Sequence, residues 1–284
     1  PMRSSAASDV YKRQDNNQAR GIVALDVESG DLIPIQAKTI IVASQGYQGM
    51  WSTPSLGPGN GLAISNAAGI RLKGMANVPM HALAIAGMGM VLPMDILGSG
   101  GRIRKESGED ASPSEVIGGE PCVLDMRSME KSAEGWFENT MSKVFDRVGL
   151  DVRNDVLPLS PMIVSTTGGI PVDDQCRAIF DSGKMWYTGL YAAGRSAYTG
   201  MHGTAPLPGN LIMEEVVTGM IAGKHAAEWS NNSQFGGYEL MQQEVSLSQK
   251  KIDQMFSSEG SPVGHVAKAL SSAMRIIDGS GDQA

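Results

Sequence analysis

Residues 189–210, GLYAAGRSAYTGMHGTAPLPGN, decide the fold of this chain. Leu190–Ala193 is a short apolar run suited to a strand buried on both faces. It runs into Gly194, and a loop containing Gly200, Gly203 and Gly209 follows. Asn210–Trp229 then reads as the longest helix of the chain, opening just after Pro208-Gly209. Glycines at such a junction let the backbone come close to a ligand. The helix start adds free N–H groups and the positive end of a dipole.

Upstream, Gly21–Asp26 has the β-branched character of a strand. Ser29-Gly30-Asp31 is a turn, and Leu32–Gln36 is its hairpin partner. Ala37–Ala43 (AKTIIVA) predicts a second strand buried on both faces, ending in Ser44-Gln45-Gly46. Asn60–Gly69 reads as a helix capped by Asn60 and stopped by Gly69. Arg71–Met90 alternates loosely and reads as strands. Gly98–Gly101 is a glycine loop, Asp110–Ser114 a polar loop, and Ser132–Val148 an amphipathic helix. Leu157–Ser165 reads as extended and Ala178–Asp181 as a short strand. Past the long helix, Ser230–Gly237 is a linker before helices over Tyr238–Phe256 and Pro262–Asp278. Buried strands mixed with helices around a central β-rich stretch predict an α/β nucleotide-binding domain, an inserted lobe and a helical tail. Pro1–Gln14 resembles a translated sequencing adaptor and is set aside as a non-native leader.

With 42% hydrophobic and 19% charged residues, the 284-residue chain has the composition of a globular protein. Its net charge is −7 and no Lys/Arg run is present, which argues against a nucleic-acid partner. Cys122 and Cys176 lie far apart and read as reduced thiols, with no metal site expected. No apolar run reaches the ~20 residues that span a bilayer.

Several segments are similar, in order and spacing, to one family. Ile40–Tyr47 (IIVASQGY) resembles V-V-A-T-G-G-Y, and Gly59-Asn60-Gly61 resembles G-D-G. His81 falls at the histidine of F-H-P-T-G, and Gly98–Gly101 at G-E-G-G. Gly168–Pro171 is similar to G-G-I-P, Gly189–Gly194 to G-L-Y-A-C-G, His202-Gly203 to H-G, and Gly209-Asn210 to the start of G-N-S-L. Together they resemble the fumarate reductase/succinate dehydrogenase flavoprotein family. The resemblance implies a partial FAD-binding Rossmann-like α/β domain (residues 15–77 and 161–230), interrupted by an α+β capping domain (78–160) and followed by a helical region (236–284). It implies FAD as cofactor and hydride transfer at a carbon–carbon bond. Its partners would be a small organic acid and an electron-transfer subunit, and its place the cytoplasm or, through partner subunits, the inner face of the membrane. The family's G-x-G-x-x-G phosphate grip is absent from the sequence, so the chain reads as amino-terminally truncated.

The resemblance also implies site residues. Ala43, Ser44, Gln45, Gly46, Asn60, Gly194, Arg195, Gly203, Gly209, Asn210 and Leu211 are the expected cofactor contacts, and His81 and His202 the expected catalytic groups. Five family positions differ here. The proton-shuttle Arg aligns with Leu97, the substrate His with Val164, the substrate Arg with Pro206, the cofactor Glu with Arg195, and the Thr of H-P-T with Leu83. A pocket lined by His81, Leu97, Val164, His202 and Pro206 is expected to be less cationic than a dicarboxylate requires. Arg102, Arg104, Lys105 and Arg195 are candidates for relocated cations, and a solvated strand edge is the plainer reading of the first three. Three functions stay open: an oxidoreductase for a substrate other than plain fumarate, a degenerate FAD-binding subunit, and a true fumarate/succinate enzyme with relocated cations.

Overall fold

The computed structural model describes residues 7–12, 17–51, 57–180, 185–257 and 259–277. The chain divides into two compact units, one of Pro1–Val78 with Ser165–Ala284, the other of Pro79–Val164.

In the first unit, Ala7–Lys12, Ala19–Leu25 and Leu32–Gln36 form an antiparallel sheet in that order. Residues 7–12, set aside in the sequence reading, thus form a paired strand. The helix Tyr238–Ser257 packs on this sheet through Met241, which is 1% exposed. Gly21 makes room for it: a Cβ there would lie 2.9 Å from the Met241 methyl and 2.3 Å from the Ile35 carbonyl oxygen. Gln36 ties the chain beyond the helix Asn210–Asn232 to the same sheet, donating to the Gly236 carbonyl at 3.0 Å, and Lys38 donates to the Ser230 carbonyl in the last turn of that helix at 3.1 Å.

A second sheet holds Arg177–Phe180, Met185–Ala192 and Ile40–Val42 in that order. Met185–Ala192 is central, and Gly189–Ala192 is buried because neighbours flank it on both edges. Its pairing with Ile40–Val42 is parallel, Leu190 to Ile40 and Ala192 to Val42. The strand expected over Ala37–Ala43 is therefore shorter. Only Ile40–Val42 pairs, and Ile41 stays exposed, pointing to the opposite face from the buried Val42. Asp181 of the expected strand Ala178–Asp181 lies outside the described residues, as does Asp278 of the expected helix Pro262–Asp278, which is described as Val263–Ile277.

The long helix Asn210–Asn232 packs on the central strand through Ala222 and Ala226, against Tyr191, Ala193 and Trp186. The helix Asn60–Ala67 buries Leu62 and Ser65. Its N-cap is Gly59, at φ +78, and no side chain caps it, so Asn60 is the first helical residue rather than the cap. Gly69, at φ +82, follows the helix as expected.

The second unit is a four-stranded antiparallel sheet, Leu157–Pro158, Cys122–Asp125, Arg102–Lys105 and Asp110–Ala111 in that order. The amphipathic helix Lys131–Val148 buries Phe137, Met141 and Val144, in one core with Ile103, Leu124 and Leu157. Arg71–Met90, read as strands, yields the two-residue pairings of Met80–His81 with Met162–Ile163 and of Ala84–Ile85 with Met90–Val91, besides single bridges from Lys73 to Gly169 and from Ile85 to Leu159. The polar loop expected over Asp110–Ser114 is instead a strand followed by a helix start. Asp110 meets Arg102 across the hairpin at 3.4 Å, and the Ser112 amide donates to Glu115 Oε2 at 2.8 Å in a capping box.

Candidate functional site

The geometry of the first unit starts at the carboxyl ends of its two parallel strands, where open α/β sheets bind ligands. Ala193 N donates to the Val42 carbonyl at 3.0 Å, so Ala43–Gly46 and Gly194–Ser196 leave the sheet side by side. The Ser44 and Ser196 hydroxyls meet at 2.9 Å, and Ser196 Oγ donates to the Ser44 carbonyl at 2.5 Å. Gly61 brings the helix Asn60–Ala67 against this junction, since a Cβ there would lie 2.2 Å from Ser44 Oγ. Tyr47 N donates to Thr166 Oγ1 at 3.1 Å, which braces the Ser44–Gly46 turn from the other side.

The next loop is clamped by the long helix. Gly194, at φ +57, donates its N–H to Thr218 Oγ1 at 2.8 Å, and Thr218 Oγ1 donates to the Glu214 carbonyl at 2.5 Å. Thr199 Oγ1 donates to Glu214 Oε1 at 2.5 Å. His202 Nε2 lies 3.3 Å from Glu214 Oε2, a charge-contact distance at an angle outside hydrogen-bond geometry. Thr167 Oγ1 donates to the Gly203 carbonyl at 2.5 Å. The loop ends at Gly209, the N-cap, at φ +83, and no side chain caps the helix that Asn210 and Leu211 begin. A Cβ added at Gly203 or Gly209 would meet nothing within 4 Å, so packing excludes a side chain at neither and the positive φ is what favours glycine.

The first unit thus holds Ala43, Ser44, Gln45, Gly46, Asn60, Gly194, Arg195, His202, Gly203, Gly209, Asn210 and Leu211. Arg195 spends its charge on Glu215 at 2.6 Å. His81 belongs to the second unit. Its Nδ1 accepts from Leu83 N at 3.2 Å, and burial pushes its pKa below the ordinary value. Arg102 pairs with Asp110 at 3.4 Å. Arg104 Nε lies 3.1 Å from the buried Asp125, and Lys105 pairs with Glu115 at 2.7 Å. Leu97 packs against the core of its unit.

Residues 2–212 match the model of the FAD binding domain family. The chain belongs to that family. This flavoprotein is 27% identical over 254 residues to the 8-methylmenaquinol:fumarate reductase flavoprotein subunit of Wolinella succinogenes, covering 78% of this chain and 41% of the relative. It is 28% identical over 249 residues to an uncharacterized FAD-dependent oxidoreductase of Methanocaldococcus jannaschii, covering 78% of this chain and 44% of that protein. A solved quinol fumarate reductase of E. coli superposes with a TM-score of 0.82 at 20% identity, covering 95% of this chain and 52% of that one. The flavoprotein therefore spans less than half the length of these two relatives.

FAD is the family's cofactor, and the residues present fit one end of it. The strand-end junction and the glycine loop expose backbone, and the uncapped helix start at Gly209 presents N–H groups suited to an electron-rich ring edge. Sequence reading missed Glu214, Thr218, Thr199, Thr166 and Ser196, which hold these loops in place. The signal available for two of them was spacing. Glu214, Thr218, Ala222 and Ala226 recur every four residues, placing two polar groups on the buried stripe of the long helix.

Proposed function

We propose that the protein containing this chain is an FAD-dependent oxidoreductase acting on a carbon–carbon single or double bond, with a substrate less charged than a dicarboxylate. The observation that carries this reading is the disposition of the arginines. Arg102, Arg104 and Arg195, the candidates for relocated cations, each lie within ion-pair distance of a carboxylate of their own unit. The positions at which the family resemblance expects substrate-binding and proton-shuttle groups hold Leu97, Val164 and Pro206. A charge-assisted contact contributes about 1.5–3 kcal/mol, and a second carboxylate would forgo that from each absent cation.

His81 supports the same reading. With Nδ1 accepting from the Leu83 amide, the ring proton sits on Nε2, and the neutral ring is a hydrogen-bond donor. Such a donor suits a carbonyl oxygen or a single carboxylate, which it polarises without moving a proton. Bound FAD supplies hydride exchange with the adjacent carbon. The substrate class is thus an α,β-unsaturated monoacid or ketone, or its saturated counterpart. An electron-transfer subunit is the proposed redox partner, a reading supported by the Wolinella relative being named as one subunit, the flavoprotein, of its enzyme.

Perturbation of the flavin absorbance of the FAD-loaded whole protein tests this. Crotonate is expected to bind at least ~10-fold more tightly than fumarate, about 1.4 kcal/mol. Tighter binding of fumarate would defeat the reading.

A further inference from the structure

We infer that Glu214 and His202 form a carboxylate–imidazole dyad that supplies the proton of the proposed reaction, with Glu214 as the positioning residue and His202 as the proton carrier. The inference rests on the oxidoreductase reading above and goes beyond it, since that reading leaves the proton without a source. Leu97, at the shuttle position, cannot carry one. His81 has its Nδ1 occupied by the Leu83 amide.

His202 is differently placed. Its side chain is 12% exposed and that of Glu214 9%, so the pair is largely shielded from solvent. Glu214 is held from two sides: its Oε1 accepts from Thr199, and its carbonyl accepts from Thr218, which in turn binds Gly194. The fixed carboxylate leaves Oε2 3.3 Å from His202 Nε2, within ion-pair distance and not yet aligned as a hydrogen bond. Catalytic contacts of this kind are often poorly aligned before substrate binds. A carboxylate at Nε2 selects the tautomer protonated there and stabilises the imidazolium when it forms. His202 Nδ1 makes no hydrogen bond among the described residues and is free to exchange a proton.

The step balances. The carbon–carbon double bond would accept a hydride from reduced flavin at one carbon and, at the other, the Nδ1 proton of the His202 imidazolium, which is left as the neutral ring protonated on Nε2. The substrate is reduced, the flavin is oxidised by two electrons, and the imidazole recovers its proton from solvent.

Two measurements test the dyad. In the 284-residue chain, ¹⁵N NMR of the four histidines reads each ring's tautomer without requiring turnover. His202 is expected to be protonated on Nε2, and Glu214→Gln to shift His202 alone. A wild-type His202 protonated on Nδ1, or one unmoved by Glu214→Gln, overturns the dyad. In the FAD-loaded whole protein, single-turnover reoxidation by crotonate is expected to show a solvent deuterium isotope effect. Glu214→Gln and His202→Gln should each slow it ~10²-fold. Unchanged rates overturn the carrier role. Absence of reoxidation by any unsaturated acid or ketone overturns the oxidoreductase reading and the carrier role with it, while the tautomer result stands independently.

Discussion

Gly61 is fixed by a neighbour: the space a side chain would take is filled by Ser44, whose Oγ would lie 2.2 Å from a Cβ, with Val42 Cγ1 at 3.2 Å. Both neighbours belong to the strand-end junction, so the position couples helix placement to the cofactor loop. Gly61→Ala is expected to cost about 1–3 kcal/mol through overpacking, measured as a lower urea midpoint at unchanged m-value. A variant as stable as the wild type would mean the helix start does not seat on Ser44. At this scale the sequence was legible where backbone conformation demanded glycine, as at Gly194 and Gly209, both at positive φ. It was not legible where a hydroxyl meets a partner far along the chain. Thr166 braces Tyr47 across 119 residues and Ser196 meets Ser44 across 152, and such contacts leave no local periodicity to read.

The helix Tyr238–Ser257 and the antiparallel sheet stand or fall together, because Met241 is the fully buried apolar side chain of that helix, at 1% exposure. Met241→Ala is expected to cost about 2–5 kcal/mol by the cavity it leaves, read as a loss of amide-exchange protection in Ala19–Leu25 and Leu32–Gln36. Protection unchanged in both strands would contradict this packing. The sequence announced the long elements, since the apolar run around Leu190 and the amphipathic helix ending at Val148 span enough residues to show a period. Two-residue strands such as Met80–His81 span too few. The short strand at Asp110 was hidden because its support is electrostatic: Arg102 and Arg104 reach its carboxylate from the neighbouring strand, at 3.4 and 3.9 Å.

Over the whole molecule, the net charge of −7 is compatible with an acidic substrate only where cations are concentrated and unspent. Arg102, Arg104 and Arg195 are spent on carboxylates, which moves the proposed specificity away from two negative charges. The family and its cofactor were legible from motif order. The pairing of each arginine was not, because it depends on which carboxylate the fold places opposite. The central claim is tested most directly by stopped-flow reoxidation of the FAD-loaded, pre-reduced whole protein, mixed at equal concentration with fumarate and with crotonate or an α,β-unsaturated ketone. The account expects the monoacid or the ketone to reoxidise the flavin at least ~10-fold faster, the factor that corresponds to one lost contact of about 1.4 kcal/mol in the transition state. Fastest reoxidation by fumarate would contradict it.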